Sequence, residues 1–258
     1  MPELPEVEAY RLAAQAALGR RVAQVVVGDP RALAPGTTAT MLAGLLPGRE
    51  LVAARRRGKL LVLDLPPGRL GLRFGMTGRL LVDGWSPVER LLWASPRVEP
   101  RWLRLEVRFE GGGSLGLVDP RLLGRVALDP EEDALGPDAL TATPADLARA
   151  LQGPVALKAR LLDQRRIAGI GNLVADELLW RAGLAPDRPA GSLGAADRAR
   201  LHRTLRRTLA DLVARGGSHL GDLMPERHPG GRCPRDGTPL VRGRVGGRTT
   251  WWCPAHQR

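Results

Sequence analysis

Cysteine is nearly absent from this chain, and so is lysine. Two cysteines, Cys233 and Cys253, among 258 residues exclude a disulfide framework. No run of about 18 or more apolar residues occurs, which excludes a membrane-spanning helix. A signal-peptide pattern is missing too. The N-terminus is acidic, so a cytoplasmic protein is expected. Lysine supplies only two of the 39 basic residues, Lys59 and Lys158. Arginine takes the rest, and with abundant Ala, Gly and Pro this suggests a GC-rich genome that converts lysine codons to arginine ones. The exchange is harmless for surface charge. It fails where a compact ammonium with an adjustable pKa is needed. The two survivors are therefore candidates for chemistry, with chance survival as the alternative.

What the chain does have is basic charge, unevenly placed. Residues 1–143 carry 19 basic and 17 acidic groups, a net +2, and residues 144–258 carry 20 and 10, a net +10. A basic half on a folded chain points to a polyanion, most commonly nucleic acid; the alternative is a solvated basic surface. The length allows one large domain or two modest ones.

The element pattern changes midway. Residues 3–18 read as a helix closing at Gly19. Short β-like runs follow (VAQVVV, ELVAA, KLLVLDL, RLGLRF, RLLVDG, RWLRLEVRFE, SLGLVD), punctuated by Gly and Pro clusters. Alternation in RWLRLEVRF puts Trp102 or its neighbours on one face and arginines on the other. This predicts an antiparallel sheet region of sandwich or barrel type over residues 1–128. Residues 129–145, acidic and proline-bearing, read as a linker, with Thr143 as a helix N-cap before Pro144. From there to residue 227 the pattern is helical: PADLARALQG, VALKARLLDQRRI, LVADELLWRAGL and AADRARLHRTLRRTLADLVARGG. The last places leucines 201, 205, 209 and 212 on one side and arginines on the other. Residues 228–258 read as two short strands around glycines.

Three short stretches carry chemistry. The first is MPELPEVE. Proline and acids suit a first helical turn, with Leu4, Val7 and Ala14 as an apolar face. Alternatively, methionine before a small residue is trimmed, which leaves Pro2 as a terminal secondary amine. An α-amino group titrates near ~8, so a usable fraction is a neutral nucleophile for an aldehyde-level carbon. The second is AGIGN, where Gly169 and Gly171 allow a tight turn and Asn172 caps the next helix or reaches outward. Amides at such a terminus bind phosphate well, although an ordinary helix connection would look the same. The third is the tail, with the spacing Cys233-x2-Asp236-x16-Cys253-x2-His256. Paired ligand knuckles around a hairpin are how zinc ribbons are built, and one structural zinc is expected. His228 is an alternative to Asp236, and a metal-free hairpin with incidental thiols is the bland reading. Arg242, Arg244 and Arg248 lie on or near this glycine-rich hairpin, a shape suited to clasping phosphates.

Taken together, these blocks resemble the formamidopyrimidine-DNA glycosylase/endonuclease VIII family of base-excision repair enzymes. MPELPEVE, GKLLVLDL, RFGMTGRL, VDPRLLGR, LLDQRRIAGIGNLVADELL and RTTWWCPAHQ occur in family order and at roughly family spacing. The opening octet is similar to the formamidopyrimidine branch. The resemblance implies an α+β protein: an N-terminal β-sandwich with a flanking helix, a C-terminal helix-two-turn-helix domain and a zinc-ribbon hairpin. It implies a monomeric glycosylase and AP lyase acting on double-stranded DNA with damaged bases or abasic sites. Pro2 would be the nucleophile at C1′, Glu3 the acid for the sugar ring oxygen and Glu6 a supporting carboxylate. Lys59 would contact phosphate and assist elimination. Lys158 matches a second lysine position, at the start of the helix-two-turn-helix, and would bind DNA. Asn172 and Arg248 match the residues that pinch phosphates beside the lesion.

Flipping a nucleotide out of the stack costs a few kcal/mol, offset by bending the duplex and filling the gap. Met76 and Arg121 match two gap-filling residues, and the third, usually phenylalanine, is Leu123, a smaller wedge that cannot stack. A further departure is GGSHLGDLMPERHPGGRC, much shorter than the family segment that folds over an everted oxidised purine. The resemblance implies oxidised bases of formamidopyrimidine or oxidised-purine type as substrates, and with this departure formamidopyrimidines, further-oxidised guanines, oxidised pyrimidines and abasic sites all stay open. A non-catalytic DNA-binding protein and an N-terminal-proline tautomerase are the readings from other classes.

Overall fold

The structure, a computed structural model, describes residues 2–92, 95 and 97–258. The expected trimming of Met1 falls on a residue outside these. The chain divides into two compact units. One holds Pro2 with Glu6–Glu132, and the other holds Glu3–Pro5 with Asp133–Arg258.

The first unit is built from eight strands: β1 (Val22–Val27), β2 (Ala53–Arg57), β3 (Leu60–Leu65), β4 (Gly68–Arg73), β5 (Arg79–Val82), β6 (Leu103–Phe109), β7 (Ser114–Val118) and β8 (Arg125–Leu128). They form two four-stranded antiparallel sheets, in the orders β1-β6-β7-β5 and β2-β3-β4-β8. One apolar core joins them, with Leu105, Val107 and Leu117 from one sheet and Leu61, Leu63 and Leu72 from the other. That makes a sandwich. The alternation read in RWLRLEVRF holds for Leu105, Val107 and Phe109, all buried. It breaks at Arg104, which is also buried. The register between β6 and β7 shifts between Leu103 and Leu105, so the bulge turns Arg104 out of the alternation. Its Nε then donates to the Asp119 carbonyl at 2.7 Å.

The first helix, α1 (Leu4–Ala14), continues as a 3-10 turn over Gln15–Ala17, so the helical stretch ends close to Gly19. Its apolar residues do not share one core. Val7, Tyr10 and Ala14 pack into the sandwich core, whereas Leu4 belongs to the core of the second unit. A short α2 (Ala39–Leu45), capped by Thr38, completes the first unit.

The second unit contains α3 (Pro144–Ala150), α4 (Leu157–Leu162), α5 (Asn172–Ala182), α6 (Ala195–Arg215) and the hairpin β9 (Val241–Val245) and β10 (Arg248–Trp252). Thr143 caps α3 in a reciprocal capping box with Asp146. Residues 133–142 pack with this unit, and Ala139 and Ala142 sit in its core. Leucines 201, 205, 209 and 212 of α6 are all fully buried. α4 is much shorter than its periodic sequence run. Asp163 diverts the chain by accepting the Arg165 amide on its side chain (3.1 Å) and the Arg166 amide on its carbonyl (2.9 Å). Gln164 then ties the double turn together. Its Nε2 donates to the carbonyls of Leu162 (2.9 Å) and Ile170 (2.8 Å), and its Oε1 accepts from the Gly169 amide (2.9 Å). Among the described residues no helix is long and apolar enough to cross a membrane.

Candidate functional site

At the start of the chain, Pro2, Glu3 and Glu6 are all buried. Glu3 has a specific placement. Its Oε1 accepts from the Leu173 amide at 2.9 Å and its Oε2 from the Val174 amide at 3.0 Å. The amides expected from the sequence to face a phosphate are thus occupied by a carboxylate from 170 residues away. The positive end of α5 and the negative side chain suit one another. Gly171 makes this approach possible: a Cβ there would stand 2.2 Å from the Glu3 carboxyl carbon. The Leu4 amide donates to the Gly169 carbonyl at 3.2 Å, so backbone and side chain together fix this stretch on the double turn.

Glu6 lies one turn before Tyr10. Burial and the Glu6 charge push the Tyr10 phenol well above its ordinary range. The phenol donates to the Gly78 carbonyl at 3.3 Å, and its ring packs on Phe74 at 4.5 Å, linking α1 to the 74–78 loop.

Lys59 follows Gly58 in the two-residue turn between β2 and β3 and is half-buried. Gly58 has φ +59°, which fits the II′ geometry preferred in such hairpins. Arg56 holds the turn: its Nη1 donates to the Gly58 carbonyl at 3.0 Å, and its Nε donates to Glu8 of α1 at 2.8 Å. Burial opposes the Glu8 charge, yet bonds from Arg11 and Arg56 hold its carboxyl below the ordinary range.

Lys158 lies in α4 with no exposed surface. Its Nζ stands 2.6 Å from Asp176 of α5 and donates to the Thr250 hydroxyl (2.8 Å) and the Thr249 carbonyl (3.1 Å) of β10. Asp176 also receives Arg227 at 2.7 Å. Burial pushes the ammonium below the ordinary lysine range, and Asp176 opposes the shift only in part. Arg248, the exposed first residue of β10, immediately precedes the two threonines that Lys158 holds. Asn172 opens α5, and its Oδ1 is buried without a hydrogen-bond partner among the described residues.

Met76 and Arg121 come together, with Arg121 Nη1 3.6 Å from Met76 Sδ. Leu123, 42% exposed, is on the Arg121 loop. A Cβ on Gly75 would lie 2.5 Å from the Leu123 carbonyl carbon, so the two loops touch backbone to backbone.

In the tail, ligand atoms of Cys233, Asp236, Cys253 and His256 all lie within 4.8 Å of one another, a cluster that could hold a metal ion. Cys233 Sγ is 3.5 Å from His256 Nδ1, Cys253 Sγ 3.4 Å from Asp236 Oδ2, and His256 Nδ1 3.3 Å from Asp236 Oδ2. Bonds of ~2.0–2.3 Å arranged tetrahedrally give ligand-to-ligand edges of about 3.3–3.8 Å, so the donors fit zinc. The second shell fits as well. His256 Nε2 is 3.2 Å from the Trp180 carbonyl, and Trp180 Nε1 donates to Cys233 Sγ at 3.3 Å. His228 is not in the cluster; its Nδ1 lies 2.9 Å from the Pro229 carbonyl. The short segment before the cluster is pinned by Glu177. This buried residue accepts the amides of Asp222 (3.0 Å) and Leu223 (2.9 Å), and Leu223 packs with Trp180 and both cysteines.

Sequence reasoning missed Gln164, Glu8, Arg56, Asp176 and Glu177. Their residue types carried a signal of charge or amide chemistry, but nothing local named their partners.

Two family patterns cover most of the chain. The formamidopyrimidine-DNA glycosylase N-terminal domain matches residues 1–126, and the formamidopyrimidine-DNA glycosylase H2TH domain matches residues 127–223. The formamidopyrimidine-DNA glycosylase of Geotalea uraniireducens is 35% identical over 279 aligned residues, covering 98% of each chain. The Lactococcus lactis Fpg bound to abasic-site DNA superposes with a TM-score of 0.82 at 25% identity over 99% of both chains. The same enzyme bound to DNA with an oxidised pyrimidine gives 0.82 and 25% over the full length of both. With residues 1–223 matched and a curated relative aligned almost end to end, this chain belongs to the formamidopyrimidine-DNA glycosylase family.

Proposed function

We propose that the protein is a bifunctional DNA glycosylase and AP lyase of the bacterial cytoplasm. It removes oxidised bases of formamidopyrimidine or oxidised-purine type from double-stranded DNA. The observation that carries this reading is the buried Glu3 carboxylate, fixed by two α5 amides, directly after Pro2. Burying a carboxylate is costly unless it is paired or hydrogen-bonded, and here two amides hold it in one place beside the candidate amine.

With Met1 removed, the neutral Pro2 amine attacks C1′ as the bond from C1′ to the damaged base breaks. The base leaves as its anion and takes a proton from water. The remaining amine proton passes through Glu3 to the ring oxygen O4′, and the sugar opens to an iminium. Loss of a C2′ proton expels the 3′ phosphate, and a second elimination releases the 5′ phosphate. Glu6 supports the charge at the terminus. Lys59, on its braced turn, neutralises phosphate during elimination. Asn172 and Arg248 grip the backbone beside the lesion. Lys158, which has no exposed surface, serves by holding the Thr249–Thr250 stretch that carries Arg248. Met76, Arg121 and Leu123 fill the gap left by the everted base. Residues 1–128 carry the chemistry, 129–145 connect, and 146–227 and the 228–258 hairpin bind DNA. One zinc on Cys233, Asp236, Cys253 and His256 substitutes for the core that so small a hairpin lacks.

Borohydride trapping tests the proposal. An abasic or lesion-bearing duplex becomes covalently attached to wild-type protein, and Pro2→Gly weakens or abolishes the adduct. Absence of any adduct with wild type refutes it. A second reading, oxidised pyrimidine as the main substrate, is favoured by the full-length likeness to a relative bound to such DNA. Side-by-side cleavage of purine and pyrimidine lesions separates the two.

A further inference from the structure

We infer that Asp119 is a positioning residue that sets the gap-filling wedge, and through it the choice of duplex over single-stranded substrate. This rests on the proposed wedge role of Met76, Arg121 and Leu123. Asp119 itself is fully buried. Four donors from two loops converge on its carboxylate. Oδ1 accepts from the Thr77 hydroxyl at 2.5 Å and the Arg121 amide at 3.2 Å, and Oδ2 accepts from the Leu123 and Gly124 amides, both at 2.7 Å. The backbone of Asp119 is anchored as well. Its amide donates to the Trp102 carbonyl at 2.8 Å, and its carbonyl accepts Arg104 Nε at 2.7 Å.

The geometry explains why a carboxylate is needed. Leu122 sits at φ +55°, a region where a leucine is strained. It lies between the two residues, Arg121 and Leu123, whose amides Asp119 holds. That kinked arc turns Arg121 and Leu123 outward together. Thr77, next to Met76, is held by the same carboxylate, so all three wedge residues refer to one buried group. The four donors satisfy both oxygens of the buried carboxylate. Removing it leaves three amides and a hydroxyl to find new partners and releases the strained leucine.

The effect belongs to base eversion rather than to bond breaking. A lesion in a duplex must be flipped against stacking, whereas an abasic site in a single strand needs no wedge. Asp119→Asn keeps the shape but presents an amide group to donors. Expected is a fall of about tenfold or more in cleavage of a lesion duplex relative to an abasic single strand, equivalent to roughly 1.4 kcal/mol or more in relative barrier. The fluorescence rise of a 2-aminopurine placed opposite the lesion, which reports unstacking, should fall with it. Thr77→Val removes one of the four donors and should lower the same ratio by about threefold. If both activities of Asp119→Asn fall in proportion, its role is structural only and the inference is overturned. An unchanged ratio overturns it too. Should Asp119→Asn fail to fold, Thr77→Val decides alone, and an unchanged ratio there overturns the inference. Met76→Ala and Arg121→Ala separate this from the wedge reading. If they leave the ratio unchanged, the wedge reading itself fails. If they lower it and the Asp119 and Thr77 variants do not, only the role of Asp119 fails.

Discussion

The two lysines stand in opposite environments. Lys59 is half-buried on a two-residue turn of the first unit, and the turn is braced from below by Arg56 and Glu8. Lys158 is sealed inside the second unit against Asp176 and two threonines. One sequence signal, survival against an arginine-rich background, marked both. The lesson is that an unusual residue type reports a demanding position without reporting the demand. A reachable ammonium on a fixed turn is suited to a ligand's phosphate. A buried ammonium, with its charge matched and its donors used, is suited to holding other residues in place.

The largest expected effect tests the buried side. Lys158→Met leaves Asp176 with Arg227 as its one ionic partner among the described residues and should cost about 3–5 kcal/mol, the range for breaking a buried ion pair. Thermal unfolding of the full chain measures it, and a loss below ~1 kcal/mol would break the contrast. Next is Lys59→Met, which should slow strand cleavage at an abasic site by about a hundredfold. Because Lys59 is only half-buried, the unfolding temperature of this variant should fall less than that of Lys158→Met. A matching loss of stability would make the two lysines alike. Metal removal probes the hairpin. Elemental analysis should find about one zinc per chain, and a chelator should weaken duplex binding in a filter or anisotropy assay and lower the unfolding temperature. Cys253→Ser should do the same without chelator. Fully active, metal-free protein would refute the zinc assignment.

The smallest effect sharpens the brace beneath Lys59. Glu8 is held below its ordinary carboxyl range in the folded chain. Its contribution to stability is therefore complete above the unfolded value of about 4.5 and is lost as pH falls through the folded value. Glu8→Gln should cost about 1 kcal/mol at neutral pH and flatten the acid limb of the stability curve. An unchanged acid limb would show that Arg56 needs no carboxylate.

Much of this molecule was legible before folding. The short β-like runs punctuated by Gly and Pro form two packed sheets. The leucine spacing of α6 marked a face that is fully buried. Thr143 before Pro144 is a cap. The paired Cys knuckles bring four donors together, and Asp236 takes the place that His228 was also offered. These features depend on neighbours within a few residues, or on ligand spacing along a short hairpin, so local chain geometry decides them. Less legible was the end of α4, where periodicity continued but Asp163 and Gln164 offered the backbone other partners.

The remaining features depend on residues far apart in sequence. That Glu3 would occupy the amides of α5, that Leu4 would leave its helix's own core, that Lys158 would be sealed and that four donors would meet on Asp119 follow from no local pattern. Each needs two segments brought to within about 3 Å, the range in which a hydrogen bond forms. The sequence by itself determined the element types, the basic second half and the chemical identity of the candidate groups. Only the tertiary structure decided which charges are buried, because desolvation and pairing are set by what the rest of the chain packs around them.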